Sequence, residues 1–206
     1  MTTTTPTPQV VARDVAVTAI DELPGSLPVS VAMTDIDGFA IYNEAHGREA
    51  GDALLAGFHQ ALEQNLPDDV ALHRIGGDEW VIVFPGTPLE NSLVLLEEIR
   101  AHIESAVPGT PDDEITLSAG LAARPPHGSS GEELIRAADE ALSRSKRGGR
   151  NRVGIYIEDK MVMKSNYYSR ATLDRLAALA RATNRTEASL LREAADKLLA
   201  EYAGEI

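Results

Sequence analysis

Two short clusters carry residue types from which phosphate chemistry is built: Asp35-Ile36-Asp37 and Gly76-Gly77-Asp78-Glu79. The first follows Val29-Ser30-Val31-Ala32-Met33, a β-branched run that reads as a buried strand. The second separates two strand-like runs, 70–75 and 80–84, as the tight turn of a hairpin. If those strands are neighbours, carboxylates from both turns converge at one edge of a sheet and form a divalent-metal site. Phosphoryl transfer needs little covalent help from a protein. It needs a cation such as Mg²⁺ to neutralise phosphate charge, and a group that orients or deprotonates the attacking hydroxyl. Two glycines beside the carboxylates let backbone approach a phosphate or a base with no side chain between. Each cluster alone is ordinary, because Asp-x-Asp after a strand is commonly a solvated loop or helix cap and Gly-Gly-Asp a common hairpin turn. Their conjunction carries the argument.

The elements that must position these clusters alternate along the chain. Residues 1–9 form a Thr/Pro stretch with too little apolar surface to offset the entropy of ordering, expected as a disordered leader. Residues 10–26 read as a short packing helix and a linker, with Pro24-Gly25 ending the helical pattern. Helical periodicity follows at 39–45, 53–66, 93–107 and 132–145, and strand patterns at 115–122 and 153–157. Helices interleaved with strands and one central hairpin predict an α/β sandwich with helices against a mixed sheet.

Composition narrows the chemistry. The 206 residues include no cysteine and five scattered histidines, so a metal must sit on oxygen ligands, which suits Mg²⁺. No apolar run approaches the ~20 residues that a membrane span needs, and the first twenty residues lack the pattern of a secretory signal. A cytoplasmic protein is expected. The net charge of −13 is uneven: residues 160–206 hold eight Lys or Arg against six Asp or Glu, which leaves −15 on residues 1–159. The tail is a separate electrostatic unit.

Across residues 27–157 the chain resembles the diguanylate cyclase family, whose signature Gly-Gly-Asp-Glu-Phe appears as Gly76-Gly77-Asp78-Glu79-Trp80. Further segments agree in order: Asp35-Ile36-Asp37-Gly38-Phe39, Asn43, Gly51-Asp52, Ser118-Ala119-Gly120-Leu121-Ala122, and Ala138-Asp139-Glu140-Ala141-Leu142 leading to Lys146 and Gly149-Arg150-Asn151. The resemblance implies a cyclase/polymerase-palm-like mixed sheet flanked by helices, and condensation of two GTP into cyclic di-GMP with release of pyrophosphate. It implies that Asp35, Asp78 and the Ile36 carbonyl bind Mg²⁺ or Mn²⁺. Asp78 or Glu79 would then help activate the ribose 3′-hydroxyl. Asn43 and Asp52 would read the guanine edge, since a carboxylate accepts from the N1 and N2 donors of guanine. Phe39 would pack near the nucleotide, Gly76 and Gly77 would line its site, and Lys146 with Arg150 would hold the triphosphate. The alternative for Lys146 and Arg150 is a pair of surface cations stabilised by a helix C-terminus.

Three departures bear on activity: Ala40 stands where the family has Lys, Arg48 where it often has His, and Trp80 where it has Phe. The family's inhibitory product site, Arg-x-x-Asp beginning nine residues before the signature, falls on Pro67-Asp68-Asp69-Val70 and is absent.

The tail resembles a ribbon-helix-helix module over residues 161–203, with a strand at 161–169 and helices at 171–182 and 187–202. Thr186 is placed to cap the second helix. Leu173, Leu176 and Leu179 on one helix, and Leu190, Leu191, Ala194 and Leu198 on the other, form apolar stripes too small to fold alone. The resemblance implies a homodimer whose ribbon enters double-stranded DNA, through Lys164 and Asn166 on one register or Met163, Ser165 and Tyr167 on the other. A dimerisation clamp without DNA binding is the alternative. Three functions remain open from sequence: a cyclase dimerised by its tail, a cyclase that is also DNA-bound, and a DNA-binding regulator that senses GTP or a cyclic dinucleotide without turnover.

Overall fold

In the computed structural model, residues 9–107, 115–158 and 167–201 are described. The chain divides into two compact units, Met1–Asp159 and Lys160–Ile206.

The first unit runs α1 (Arg13–Asp21), β1 (Val29–Asp37), α2 (Phe39–His46), α3 (Arg48–Asn65), β2 (Ala71–Arg74), β3 (Glu79–Pro85), α4 (Leu89–Ala106), β4 (Thr116–Arg124), α5 (Gly131–Arg147) and β5 (Val153–Ile155). Its sheet has the order β2-β3-β1-β4-β5. β1 pairs antiparallel with both β3 and β4, β2 and β3 form the expected hairpin, and β4 and β5 are parallel. Every residue of β1 is buried, because helices cover both faces of the central strand. Alternation divides its side chains cleanly. Ala32 and Ile36 join Phe58, Leu62, Leu96 and Ile99 under α3 and α4, while Val29, Val31 and Met33 join Ile20, Leu134, Ala138 and Leu142 under α1 and α5. β3 does the same, with Trp80, Ile82 and Phe84 on the first face and Val81 and Val83 on the second. A Cβ added at Gly120 would stand 2.0 Å from the Leu142 nitrogen, so α5 lies directly on the backbone of β4.

The α/β architecture matches the expectation, and the differences lie at element ends. β1 continues through Asp35 and Asp37, so the first acidic cluster is the end of the strand and not a loop after it. Pairing with β4 extends that far, with Asp35 opposite Ser118 and Asp37 opposite Thr116. The carboxylates therefore meet at the end of the central strand and not at a lateral edge of the sheet. α3 and α4 begin several residues earlier than periodicity suggests, since polar first turns carry no apolar rhythm.

The second unit contains α6 (Arg170–Thr183) and α7 (Glu187–Glu201). The Ser169 hydroxyl accepts from the Thr172 amide at 3.1 Å, and Asn184, at φ 52°, ends α6 in the left-handed conformation. Thr186 caps as expected, accepting from the Ser189 amide at 3.2 Å. The strand expected at 161–169 is not found in Tyr167–Ser169, which carry no regular structure; its other residues lie outside the described ones. The stripe on α6 also differs. Ala180 is buried and Leu176 half-buried, whereas Leu173 and Leu179 are 41% and 49% exposed. Among the described residues, no helix is long and apolar enough to cross a membrane.

Candidate active site

β1 and β3 are neighbours, as the convergence of the two acidic clusters requires, and their register pairs Asp35 with Glu79. Paired residues on adjacent strands project to the same face. The hairpin turn is fastened over the strand end: the Ile36 amide donates to the Asp78 carbonyl at 3.2 Å and the Ile75 amide to the Glu79 carbonyl at 3.0 Å. A Cβ at Gly76 would stand 2.6 Å from Glu79 Oε2 and would push that carboxylate aside, whereas Gly77 faces open space. Gly38, at φ 78°, turns the chain sharply from β1 into α2.

A cleft of about 250 Å³ opens at this junction, lined by Asp35, Ile36, Asp37, Phe39, Asp78, Lys146 and Arg150 among others. Lys146, in the last turn of α5, places Nζ 2.6 Å from Asp35 Oδ2 and so is paired with the acidic cluster. Burial pushes the Asp35 carboxyl up to about 6; Lys146 opposes that shift, and the charges of Asp78 and Glu79 add to it. Asp78 is raised too, chiefly by burial. Two carboxylates held close in a partly dry cleft are stabilised by an added cation.

The donor set fits Mg²⁺ or Mn²⁺. Among the described residues no group of three or more His, Cys, Asp or Glu side chains gathers for a metal. The chain supplies two carboxylates and backbone oxygen, which suits an ion that keeps several waters and completes its shell with substrate phosphates. Asp37 stands apart from this set. It is 3% exposed, and its carboxylate accepts from Thr116 Oγ1 at 2.8 Å, Ser118 Oγ at 2.8 and 2.9 Å and the Asn151 amide at 3.1 Å.

Arg150 is not on the helix that carries Lys146. It sits in the loop after α5 at φ 63°, followed by Asn151 at φ 47°, with Nε 3.8 Å from Asp37 Oδ1. Asn43 on α2 and Asp52 on α3 are brought together by Gly51: a Cβ there would stand 1.7 Å from Asn43 Oδ1, so the Asn43 amide lies against bare helix backbone. Both stand outside the lining of the cleft, on the helix pair whose first residue, Phe39, forms one wall. Arg48 is exposed in the first turn of α3, also outside that lining. Of the proposed DNA-contacting residues, Lys164, Ser165 and Asn166 lie outside the described ones, and Tyr167 is fully exposed.

The sequence reading missed Arg74. It is buried on β2 opposite Trp80, donates to the Gly77 carbonyl, stacks 5.9 Å from the Trp80 ring, and feels the charges of both Asp52 and Asp78. One buried cation thus links the Asp52 side of the site to the signature turn. Its signal in the sequence was a basic residue within a buried strand, two positions before Gly76.

The family model for the diguanylate cyclase GGDEF domain matches residues 17–152. The chain belongs to the GGDEF family. The response regulator PleD of Caulobacter vibrioides is 34% identical over 133 residues, 63% of this chain and 29% of PleD. The diguanylate cyclase DosC of Escherichia coli is 35% identical over 131 residues, 63% of this chain and 28% of DosC. The chain therefore spans less than a third of the length of these curated relatives. Among solved structures, the GGDEF domain of DgcB from Caulobacter crescentus, in complex with c-di-GMP, is similar with a TM-score of 0.65 and 30% identity, covering 76% of this chain and 96% of that one. The active GGEEF domain of a diguanylate cyclase from Vibrio cholerae gives a TM-score of 0.65 and 28% identity, covering 73% of this chain and 100% of that one. The GGDEF match includes most of α1, whose Ala16 and Ile20 are buried against α5 residues. It ends before the second unit.

Proposed function

We propose that this chain is a diguanylate cyclase that condenses two GTP molecules into cyclic di-GMP and two pyrophosphates. The carrying observation is the meeting of Asp35 and Asp78 at the end of the central strand, with Lys146 at 2.6 Å from Asp35. Each copy holds one GTP. Asn43 and Asp52 read the guanine edge, Phe39 packs beside the nucleotide, Gly76 and Gly77 leave room for it, and Lys146 and Arg150 hold the triphosphate. Asp78 or Glu79 orients the ribose 3′-hydroxyl or takes its proton as that oxygen attacks the α-phosphate of the facing GTP. Bound by Asp35, Asp78 and the Ile36 carbonyl, Mg²⁺ or Mn²⁺ would supply neutralisation of triphosphate charge. Two attacks, one from each half-site, close the ring and expel two pyrophosphates.

The product requires two half-sites face to face, and the second unit supplies a means to bring them together. Its exposed Leu173, Leu179, Leu191 and Leu198 support pairing with a second copy, as a ribbon-helix-helix module pairs. Double-stranded DNA as a further partner rests on the resemblance of residues 161–203 and on the positive balance of the tail.

The test is to incubate the pure chain with GTP and Mg²⁺ and identify the nucleotide product by mass spectrometry. Cyclic di-GMP is expected, and Asp78→Ala should lower turnover by about 100-fold or more while leaving thermal unfolding near wild type. Binding of GTP without turnover would instead support a regulator that senses the nucleotide. Equal turnover by Asp78→Ala would overturn the assignment of the site.

A further inference from the structure

Arg150 reaches the cleft from an unusual backbone. Gly149, Arg150 and Asn151 follow one another at φ 115°, 63° and 47°; glycine and asparagine accept the left-handed region, whereas the Arg150 side chain disfavours it. Such a turn persists only where its surroundings over-determine it. Here they do so from three sides, the first being α5, whose Ser145 carbonyl accepts from the Arg150 amide at 3.1 Å. From the sheet, Asp37 accepts the Asn151 amide at 3.1 Å, while the hydroxyls of Thr116 and Ser118 fix that carboxylate. From α4, Arg100 Nη1 donates to Asn151 Oδ1 at 2.6 Å. The Arg100 fork is itself aimed by Glu97, whose Oε2 accepts from Arg100 Nε at 2.7 Å and whose Oε1 accepts from the Val153 amide at 3.0 Å. Asn151 is thus gripped at its backbone by β1 and at its side chain by α4, and Arg150 is the adjacent residue.

We propose that Arg100, oriented by Glu97 and acting through Asn151, is a positioning residue that holds Arg150 in the cleft for the substrate's triphosphate. The inference rests on the GTP reading above and adds to it a pair of residues on α4 that line no part of the cleft. Lys146 rides on α5, which packs on β4, whereas Arg150 lies three residues past that helix, its amide tied to the Ser145 carbonyl at 3.1 Å and its side chain aimed by the turn that Asn151 completes. Loss of the α4 grip frees Asn151 Oδ1 and leaves the turn held only by Asp37 on the Asn151 amide and by Ser145 on the Arg150 amide, so the guanidinium is less firmly fixed beside Asp37. Lys146 and the carboxylates stay in place. The base-reading residues Asn43 and Asp52 sit on other helices and are unaffected.

The experiment measures equilibrium binding to the full chain of Mg²⁺ with guanosine 5′-α,β-methylenetriphosphate, which cannot release pyrophosphate, and separately of guanosine. Arg100→Ala should weaken the triphosphate analogue by about tenfold, the scale of one charge-assisted hydrogen bond, and leave guanosine affinity unchanged. Hydrogen exchange at the Asn151 amide should quicken, while the β1–β4 ladder stays protected. Asn151→Gly, which tolerates the left-handed backbone but offers no side chain to Arg100, should weaken the analogue similarly. Adding Arg100→Ala to it should then cost nothing more. Arg100→Lys keeps the charge without the planar fork and carries the same comparison should the alanine variant fold poorly. Equal analogue affinity in wild type and the Arg100 variants, a matching loss for guanosine, or full additivity with Asn151→Gly overturns the inference alone. A wild-type chain that binds neither ligand overturns the GTP reading, and the inference with it.

Discussion

Asp35 and Asp37 lie two positions apart in one strand, and the structure gives them opposite tasks. Asp37 is satisfied by two hydroxyls and an amide and organises a loop. Asp35 is buried beside Asp78 and Glu79 with its carboxyl raised to about 6 from 3.8, chiefly by burial. A raised carboxyl binds its proton more tightly in the folded state. It therefore contributes stability that is present below about pH 4 and lost as pH climbs through about 6. The shift corresponds to on the order of 2–3 kcal/mol. In chelator, Asp35→Asn should gain stability relative to wild type as pH rises from about 4 to about 6.5, read by urea unfolding at each pH. Mg²⁺ should narrow that gap, because only wild type keeps the carboxylate. A pH-independent difference between the two proteins would contradict this account. The same scale explains the departure at the signature's last position. Trp80 is fully buried and its Nε1 has no hydrogen-bond partner among the described residues, although its ring stacks under Arg74. Trp80→Phe removes that donor, worth about 1–3 kcal/mol when left unmade, and loses ring volume in exchange. The two nearly cancel. Calorimetry should show a change within about 1.5 kcal/mol, against about 3–5 kcal/mol for Trp80→Ala.

Elements decide which of these residues meet. α2 and α3 approach closely enough at Gly51 that any Cβ there must displace the Asn43 amide. Gly51→Ala should consequently raise the KM for GTP by about tenfold, the value of one hydrogen bond to the base, with cooperative unfolding retained. An unchanged KM would show that Asn43 has no part in binding. Much of this was legible in the sequence because the signals are local. The β-branched run from Val29 to Met33 announced a buried strand, and the two glycines at 76 and 77 announced the hairpin of β2 and β3. Strand ends were not legible: Asp35 and Asp37 break the apolar run, and only pairing with Thr116 and Ser118, about eighty positions away, keeps them in the ladder. Arg74, Glu97 and Arg100, and the contact that Asn151 makes, were missed for the same reason. Each is an ordinary polar residue until tertiary structure supplies its partner, as Arg100 and Asn151 are 51 positions apart. Lys146 and Arg150, four apart, read as neighbours on a helix, and only the left-handed turn at Gly149 to Asn151 separates their surroundings.

At the scale of the whole molecule, the proposed reaction needs two active sites, and the chain offers two units of opposite charge balance. Residues 1–159 carry −15, so two such domains repel as they approach, although salt at about 0.15 M confines that repulsion to about 8 Å. Residues 160–206 carry a small positive balance and a two-helix hairpin with little interior of its own. Ala180 is buried, yet Leu191 and Leu198 are 37% and 57% exposed, and Leu173 and Leu179 are exposed on the other helix. Helices of 14 and 15 residues are marginal in isolation. Covering those leucines with the same faces of a second copy gives both hairpins a shared core. Binding through one unit would then make the meeting of the attached GGDEF domains effectively intramolecular. Charges placed on the leucine stripes should break this arrangement without touching the cyclase site. Leu179→Lys with Leu198→Lys in the full chain should sediment as a monomer at concentrations where wild type is a dimer. Cyclic di-GMP formation should fall at low protein concentration and recover as concentration rises, with GTP affinity per chain unchanged. Equal dimer affinity and equal turnover at all concentrations would show that the cyclase surfaces associate by themselves and that the tail serves another purpose.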